Sequence, residues 1–203
     1  MVFFKNDFFI KLAPLNLALM FVLLCYTQKK ISIGFCLFTV LCIAIGLTAA
    51  LIGTKTGIIF GEKYGIELGP EIENVPISIG INWFIIIYCV GISIQTILNG
   101  IIEQISVARA EPPPALKALS VIVDGATLAL LFDWIIEPAA ARLGYWHWGG
   151  NGEAPFYNYL CWFLLSMLSL SVFHNYSFEK SNKFAINLLM IQAMYFLLIR
   201  TFL

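Results

Sequence analysis

A chain of 203 residues in which only 12% of the positions are charged and 60% are hydrophobic lacks the polar surface of a soluble domain. Its mean hydropathy of +0.87 and its long apolar runs predict an all-α, multi-pass protein of the lipid bilayer. The formal net charge is zero, so nothing in the sequence indicates nucleic acid or an acidic surface as a partner.

Six apolar runs are close to the length of about 20 residues that a helix needs to cross the hydrocarbon core. The predicted spans are residues 9–27, 32–52, 76–98, 116–136, 157–174 and 184–202. The first span is expected to be a retained helix, because the N-terminus has no short apolar core that ends in a cleavage site. Lysine and arginine divide evenly between the two faces, so their distribution leaves the membrane orientation open.

Two long loops, residues 53–75 and 138–158, follow even-numbered spans and should therefore lie on the same membrane face. In both, a Leu-Gly pair is followed by a proline and, seven residues after that proline, by Trp-Phe. This pattern predicts a parallel internal repeat within a single membrane domain, 1–203, with halves of about 32–98 and 116–174. The alternative is a coincidence among common turn residues.

Asp133 and Glu137 are the acids that most clearly suggest chemistry. They lie four residues apart, on one face of a helix that should end at Glu137, because Pro138 disfavours helical backbone in the residue before it. A helix C-terminus, a neighbouring like charge and partial burial should together keep at least one of these carboxyls protonated near neutral pH. The alternative is a pair of interfacial acids that bind Arg142.

Asp124 lies deeper in the same span, and its offset of nine residues from Asp133 turns it away from the acid pair. It is either a functional intramembrane acid or a partner in a helix–helix hydrogen bond. Tyr145, Trp146 and Trp148 form either an interfacial aromatic belt or a set of ring faces that stabilise a cation or stack along a polyene. The histidine between the two tryptophans is expected to be exposed.

The sequence has no histidine boxes, no GxGxxG after a predicted strand and no metal-ligand spacing. These features argue against a di-iron hydroxylase and against a flavin desaturase with a Rossmann domain. Any chemistry is therefore expected to proceed by acid and base, without a cofactor or a metal.

The stretch FDWIIEPAAARLGYWHW, followed by APFYNYLCWF, resembles the signature of bacterial membrane carotenoid hydratases. IGTKTGIIFGEKYG with LGPEIENVPISIGINW resembles the first motif of that family, and the match covers roughly residues 50–163. The resemblance implies a cofactor-free enzyme in a bacterial cytoplasmic membrane, with a carotenoid and water as its reactants. Such an enzyme adds water to the terminal double bond of an acyclic ψ-end group, in γ-carotene or a related polyene, and gives a tertiary alcohol.

This chemistry fits the residues, because hydrating a trisubstituted alkene needs a neutral acid, an aromatic wall that stabilises a cation, and a base that orients water. We therefore predict Asp133, Glu137 and Glu62 as catalytic residues. The residues predicted to bind the polyene are aromatic and amide side chains of the two motifs: Tyr64, Trp83, Trp134, Tyr145, Trp146, Trp148, Asn158 and Trp162.

One position departs from the family pattern. A glutamate commonly stands three residues before the glycine that opens the first motif, where this chain has Ala50. Water or Glu62 would then take its role. Two other functions remain open: an intramembrane prenyltransferase, since Asp-x-x-x-Glu resembles half of a diphosphate–magnesium motif, and a non-enzymatic isoprenoid-binding or transport protein.

Overall fold

A computed structural model of the protein describes residues 11–57, 63–65, 68–106, 113–148 and 154–202. This part of the chain is an all-α bundle, and its helices correspond to the six predicted spans. They are α1 (Ala13–Thr27), α2 (Ile33–Thr56), α3 (Ile77–Ser106), α4 (Pro114–Leu143), α5 (Phe156–Asn175) and α6 (Lys183–Phe202). All but α1 are long and apolar enough to cross a membrane, which confirms the expected class of fold.

Helix α3 lies at the centre of the bundle. Every residue from Trp83 to Ser93 is buried, and a helix that is apolar and buried on all sides must be surrounded by its neighbours. The outer helices instead present exposed apolar side chains, such as Leu19 of α1, Val40 of α2 and Ile191 of α6. An apolar outer surface of this extent is the surface that lipid chains solvate.

Small residues allow the helices to approach closely. An added Cβ at Gly46 of α2 would come within 2.5 Å of the Cβ of Trp83, and one at Gly80 of α3 would come within 2.9 Å of the Ile43 carbonyl oxygen. Helix packing in membranes depends on such contacts, because lipid provides no hydrophobic force between helices. The position of Trp83 therefore depends on the missing side chain of Gly46.

The two long loops meet on one face of the bundle. Strand β1 (Lys63–Tyr64) pairs antiparallel with β4 (Trp146–His147), which places Tyr64 opposite Trp146. The Gly65 amide also donates to the Tyr145 carbonyl at 2.8 Å. The shared face that we predicted for these loops is therefore confirmed, while the internal repeat of the two halves stays a prediction.

The first of these loops also contains a short hairpin before α3. Strand β2 (Glu71–Ile72) pairs with β3 (Val75–Pro76). Glu73 and Asn74 make the two-residue turn, and both have a positive φ, as a type I′ hairpin requires. The hairpin ends where α3 begins, so it fixes the start of the central helix.

The expectation that α4 ends at Glu137 is wrong. The helix continues through Pro138 to Leu143 and ends at Gly144, which is in the left-handed conformation. Proline cannot donate to the carbonyl four residues earlier, so it leaves the Trp134 carbonyl without its helical partner. The Arg200 guanidinium donates to that carbonyl at 2.9 Å and also stacks 4.0 Å over the Trp134 ring. The freed carbonyl is thus satisfied, and the helix is not forced to stop.

A buried polar cluster joins the helices at the opposite face. The Tyr88 hydroxyl donates to Oε1 of Gln28 and accepts from Nδ2 of Asn182 at 3.2 Å. The same Asn182 nitrogen lies 3.1 Å from Thr27 Oγ1. Because buried polar groups are stable only when they are paired, this cluster fixes the end of α1 against α3 and α6.

Candidate active site

Asp133 and Glu137 lie on the buried face of α4, as their spacing predicted. Asp133 is fully buried and Glu137 is 4% exposed, although charged side chains are rarely buried in proteins. Since α4 continues beyond Pro138, the pair lies inside the helix and not in its last turn. The predicted influence of the negative helix terminus is therefore wrong, because that influence falls off within the last turn.

Two tryptophans hold Glu137 in place. The Trp146 indole N–H donates to Oε1 of Glu137 at 2.8 Å, and the Trp148 indole N–H donates to the same oxygen. Both rings reach the acid because residues two apart in an extended segment point to the same side, while His147 between them is exposed. The sequence predicted an aromatic role for these rings, and the structure shows that their N–H groups bind the acid.

Helix α5 faces the acids across a close helix contact. An added Cβ at Gly125 of α4 would lie 2.8 Å from Leu170 of α5, and the two helices run antiparallel from that point. Equal rise along both helices then places Asp133 level with Trp162 and Glu137 level with Asn158. From this register we expect Trp162 and Asn158 at about the depth of the acids.

Asn158 is fully buried, and neither atom of its amide group has a hydrogen-bond partner among the described residues. An amide that is buried without a partner costs free energy, so this residue calls for an explanation other than packing. Asn158 can both donate and accept at the depth of Glu137.

Trp83 and Trp162 form an aromatic pair further along α5. Their ring centroids are 4.8 Å apart at an interplanar angle of 47°. The Trp83 indole N–H donates to Ser169 Oγ at 3.0 Å, which leaves the ring faces for packing. The structure therefore brings these two predicted residues together within the bundle, at the level of Asp133.

A cavity of about 530 Å³, a volume typical of small-molecule sites, lies on the far side of Trp146 from Glu137, and neither Asp133 nor Glu137 lines it. Its walls come from α1, α3, α4, α6 and the segment after α4, and most of the lining residues are apolar. Ile136 and Trp146 belong to this wall, and Trp146 also contacts Glu137. One tryptophan ring thus separates the cavity from the buried acid.

The cavity opens sideways. Leu15 and Leu19 of α1 and Ile191 and Tyr195 of α6 line it, and each of these side chains is about half exposed or more. They lie on the apolar outer surface, where lipid chains surround the bundle. A hydrophobic ligand can therefore pass between α1 and α6 without leaving the bilayer.

Two predicted tyrosines lie at the rim of this site. Tyr64 is half-buried and lies opposite Trp146 in the β1–β4 pair. Tyr145 lines the cavity, and burial raises its pKa to about 12, with a smaller contribution from Tyr195. The Tyr145 hydroxyl is therefore neutral at physiological pH and can act as a hydrogen-bond donor.

Other predicted residues are not brought to the acids. Trp134 is 50% exposed beneath Arg200, on the outer surface of α4. Asp124 is also exposed and accepts from Ser120 one turn earlier, so it faces away from the acid pair as predicted. Arg142 is exposed, whereas both acids are buried. The predicted catalytic Glu62 lies outside the described residues.

Ala50 is buried in α2 and has a counterpart in α4. It lies seven residues before Gly57, and Glu137 lies seven residues before Gly144. Both glycines adopt a left-handed conformation at the end of their helix. Ala50 and Glu137 thus lie the same number of residues before the glycine that ends their helix.

The sequence analysis missed three amide side chains of the cavity wall, those of Asn16, Asn82 and Gln192. Gln192 stands near the middle of the last span, where a polar residue is uncommon and points to function. That position alone was a signal that could have identified it. Asn82 directly precedes Trp83 in an otherwise apolar run, and no sequence pattern distinguishes it from a residue at a helix–helix contact.

Comparison with protein families identifies the group to which the chain is related. The family model for carotenoid biosynthesis proteins matches residues 10–203, which is nearly the whole chain. The chain belongs to the carotenoid biosynthesis protein family. No curated protein and no solved structure matches it.

Membership of the carotenoid biosynthesis protein family implies a carotenoid as substrate and, in broad terms, the role of an enzyme. It also agrees with a cavity that is apolar and open to the bilayer, since carotenoids are long hydrocarbons that reside there. The family that the sequence motifs indicated is thereby confirmed at this level.

Proposed function

We propose that this carotenoid biosynthesis protein is a hydratase that adds water to the terminal double bond of an acyclic carotenoid end group. The observation that supports it best is the buried carboxyl of Glu137, held by two indole N–H groups beside an apolar cavity. An acid in such a place can donate a proton to a hydrocarbon that brings no polar group of its own.

The reaction begins with proton transfer from Glu137. Both indoles bind Oε1, so Oε2 is the oxygen that carries the acidic proton when the carboxyl is neutral. Its transfer to the less substituted alkene carbon breaks the π bond and leaves a tertiary carbocation. The aromatic faces of Trp146, Trp148 and Trp162 stabilise this cation, as ring quadrupoles attract positive charge.

Water then completes the addition. Its oxygen forms a bond to the tertiary carbon, and one of its protons passes to a base, which leaves a neutral tertiary alcohol. We assign this base role to Asp133, one helical turn from Glu137, with the amide of Asn158 orienting the water. Return of the proton to Glu137 restores the starting state, so one water is consumed in each cycle.

The substrate reaches the acids from the bilayer. One end of the polyene enters between α1 and α6, and the end group reaches Glu137 at the edge of Trp146, which borders both the cavity and the acid. The cavity holds only one end of a carotenoid, so the rest of the chain stays in lipid. Trp146 stands between the cavity and Glu137, so its ring has to move aside for the end group to reach the acid.

Pigment analysis tests this proposal. The chain is expressed in cells that make lycopene or γ-carotene, and the extracted pigment is compared with that from cells carrying an empty vector. A mass gain of one water per ψ-end supports the hydratase. Conversion that disappears with a metal chelator, or transfer of an isoprenoid unit, would instead favour the prenyltransferase, and binding without turnover would favour a carrier.

A further inference from the structure

Three amides give the apolar cavity a polar side that a pure hydrocarbon does not use. Gln192 is 6% exposed and lines the cavity from near the middle of α6. Asn82 of α3 and Asn16 of α1 line the same space, and Asn16 is exposed at its open side. These amides can donate and accept hydrogen bonds, and the rest of the cavity wall is largely apolar, so the site suits a neutral polar group on a hydrophobic ligand.

Gln192 determines which neutral group fits. Its Nε2 atom lies 3.2 Å from the sulfur of Met20, a weak acceptor, while Oε1 is buried and has no hydrogen-bond partner among the described residues. A buried carbonyl oxygen without a partner costs free energy. A ligand that donates an O–H to it removes that cost, whereas a hydrocarbon end group does not.

We infer that this cavity selects polyenes with a hydroxyl on the bound end, seated with the hydroxyl on Gln192 and the chain against the apolar wall. The inference rests on the proposed function, because it takes the cavity as the polyene site. It makes Gln192 a residue that holds the hydroxylated end group, and the tertiary alcohol that hydration forms is such a ligand, so the product end should bind more tightly than the hydrocarbon end. A hydroxyl fits either orientation of the amide, since it donates and accepts.

Binding is measured without turnover in the Glu137→Gln chain, purified and placed in lipid nanodiscs. The two probes are lycopene and its alcohol hydrated at one end, added in increasing amounts and followed by the change in polyene absorbance. One hydrogen bond gained in an apolar site corresponds to roughly a tenfold difference in affinity. The alcohol is therefore expected to bind about ten times more tightly than the hydrocarbon.

Gln192→Leu in the same background should remove this preference. The alcohol should lose roughly tenfold in affinity, while lycopene binds as before or slightly better, which also shows that the variant is folded. The matched control is Gln104→Leu, the same change at an exposed position at the end of α3, and it should leave both affinities unchanged.

Three outcomes would overturn the inference. Equal binding of the two polyenes by the Glu137→Gln chain would overturn the inference alone, and the proposed hydratase would stand. If the Gln192→Leu chain still binds the alcohol more tightly than lycopene, the Gln192 amide does not recognise the hydroxyl. No saturable binding of either polyene would overturn the inference together with the proposed function.

Discussion

The Trp146 indole donates a hydrogen bond of 2.8 Å to Glu137, and this contact ties the loop after α4 to the buried acid. Trp146 also pairs with Tyr64 through the short β1–β4 sheet. The loop before α3 therefore helps to position the tryptophan that binds the carboxyl. Glu137 is thus positioned by two loops that are far apart in sequence. A disturbance in either loop should reach the acid.

Removing one indole N–H should weaken hydration without removing the aromatic face. Trp146→Phe and Trp148→Phe each delete one hydrogen bond to Glu137 Oε1, and a hydrogen bond to an acid contributes about 1.5–3 kcal/mol. We expect each change to lower pigment conversion by about tenfold or more. Trp134→Phe is the control, because Trp134 lies on the outer surface and should tolerate the change. Full conversion by both loop variants would contradict the role of the indoles.

The contact between Arg200 and the Trp134 carbonyl should stabilise α4 only while Pro138 is present. Arg200→Met leaves that carbonyl without a donor and should lower the free energy of unfolding by about 1 kcal/mol. Pro138→Ala restores the backbone N–H, so the same Arg200 change should cost less in that background. Thermal unfolding of the four chains in detergent measures the difference. Equal losses in both backgrounds would show that Arg200 does not compensate for the proline.

Gly65→Ala should separate the two loops. Its Cβ would lie 2.2 Å from the carbonyl oxygen of Gly144, so the β1–β4 pair must shift. Both the unfolding temperature and the pigment conversion are therefore expected to fall. Gly100→Ala is the matched control, since nothing lies within 4 Å of the added carbon and alanine favours a helix by about 0.8–1 kcal/mol over glycine. Unchanged conversion by Gly65→Ala would mean that the pairing of the loops is not needed.

Ala50→Glu should raise conversion, because it restores the carboxyl that the family pattern commonly has three residues before the glycine that opens the first motif. Such an acid would share the work of protonating the alkene and removing the proton from water. Ala50 is 1% exposed, so conversion has to be compared at matched amounts of protein in the membrane. Ala50→Gln introduces the same volume without the acid. Equal conversion by the present chain and both variants would show that this position has no chemical role.

Periodicity and length were sufficient to predict the helices, because each apolar run needs only lipid or a neighbouring helix to bury it. The same reasoning placed the two loops on one face and the acids on one side of α4, and both expectations hold. These features depend on local patterns, which the sequence contains in full.

Long-range partners explain what the sequence could not predict. The course of α4 through Pro138 depends on Arg200, which is 66 residues along the chain from the carbonyl that it binds. The position of Trp146 beside Glu137 likewise involves the pairing of its strand with β1. The rule that proline ends a helix takes no account of a distant arginine, and an interfacial tryptophan belt implies no bond to a buried acid. Both contacts could therefore be found only in the folded structure.

Conversion of γ-carotene by cells carrying Glu137→Gln decides whether the buried acid drives hydration. Glu137→Gln keeps the shape of the side chain and an acceptor for the two indoles, but it removes the proton that the alkene requires. Asp133→Asn keeps the shape of the other acid and removes the proposed base. At matched membrane expression, the parent chain should give pigment heavier by one water. Each variant should lose about 10²–10⁴-fold of that rate. Pigment hydrated by either variant at the rate of the parent chain would contradict the role assigned to that residue.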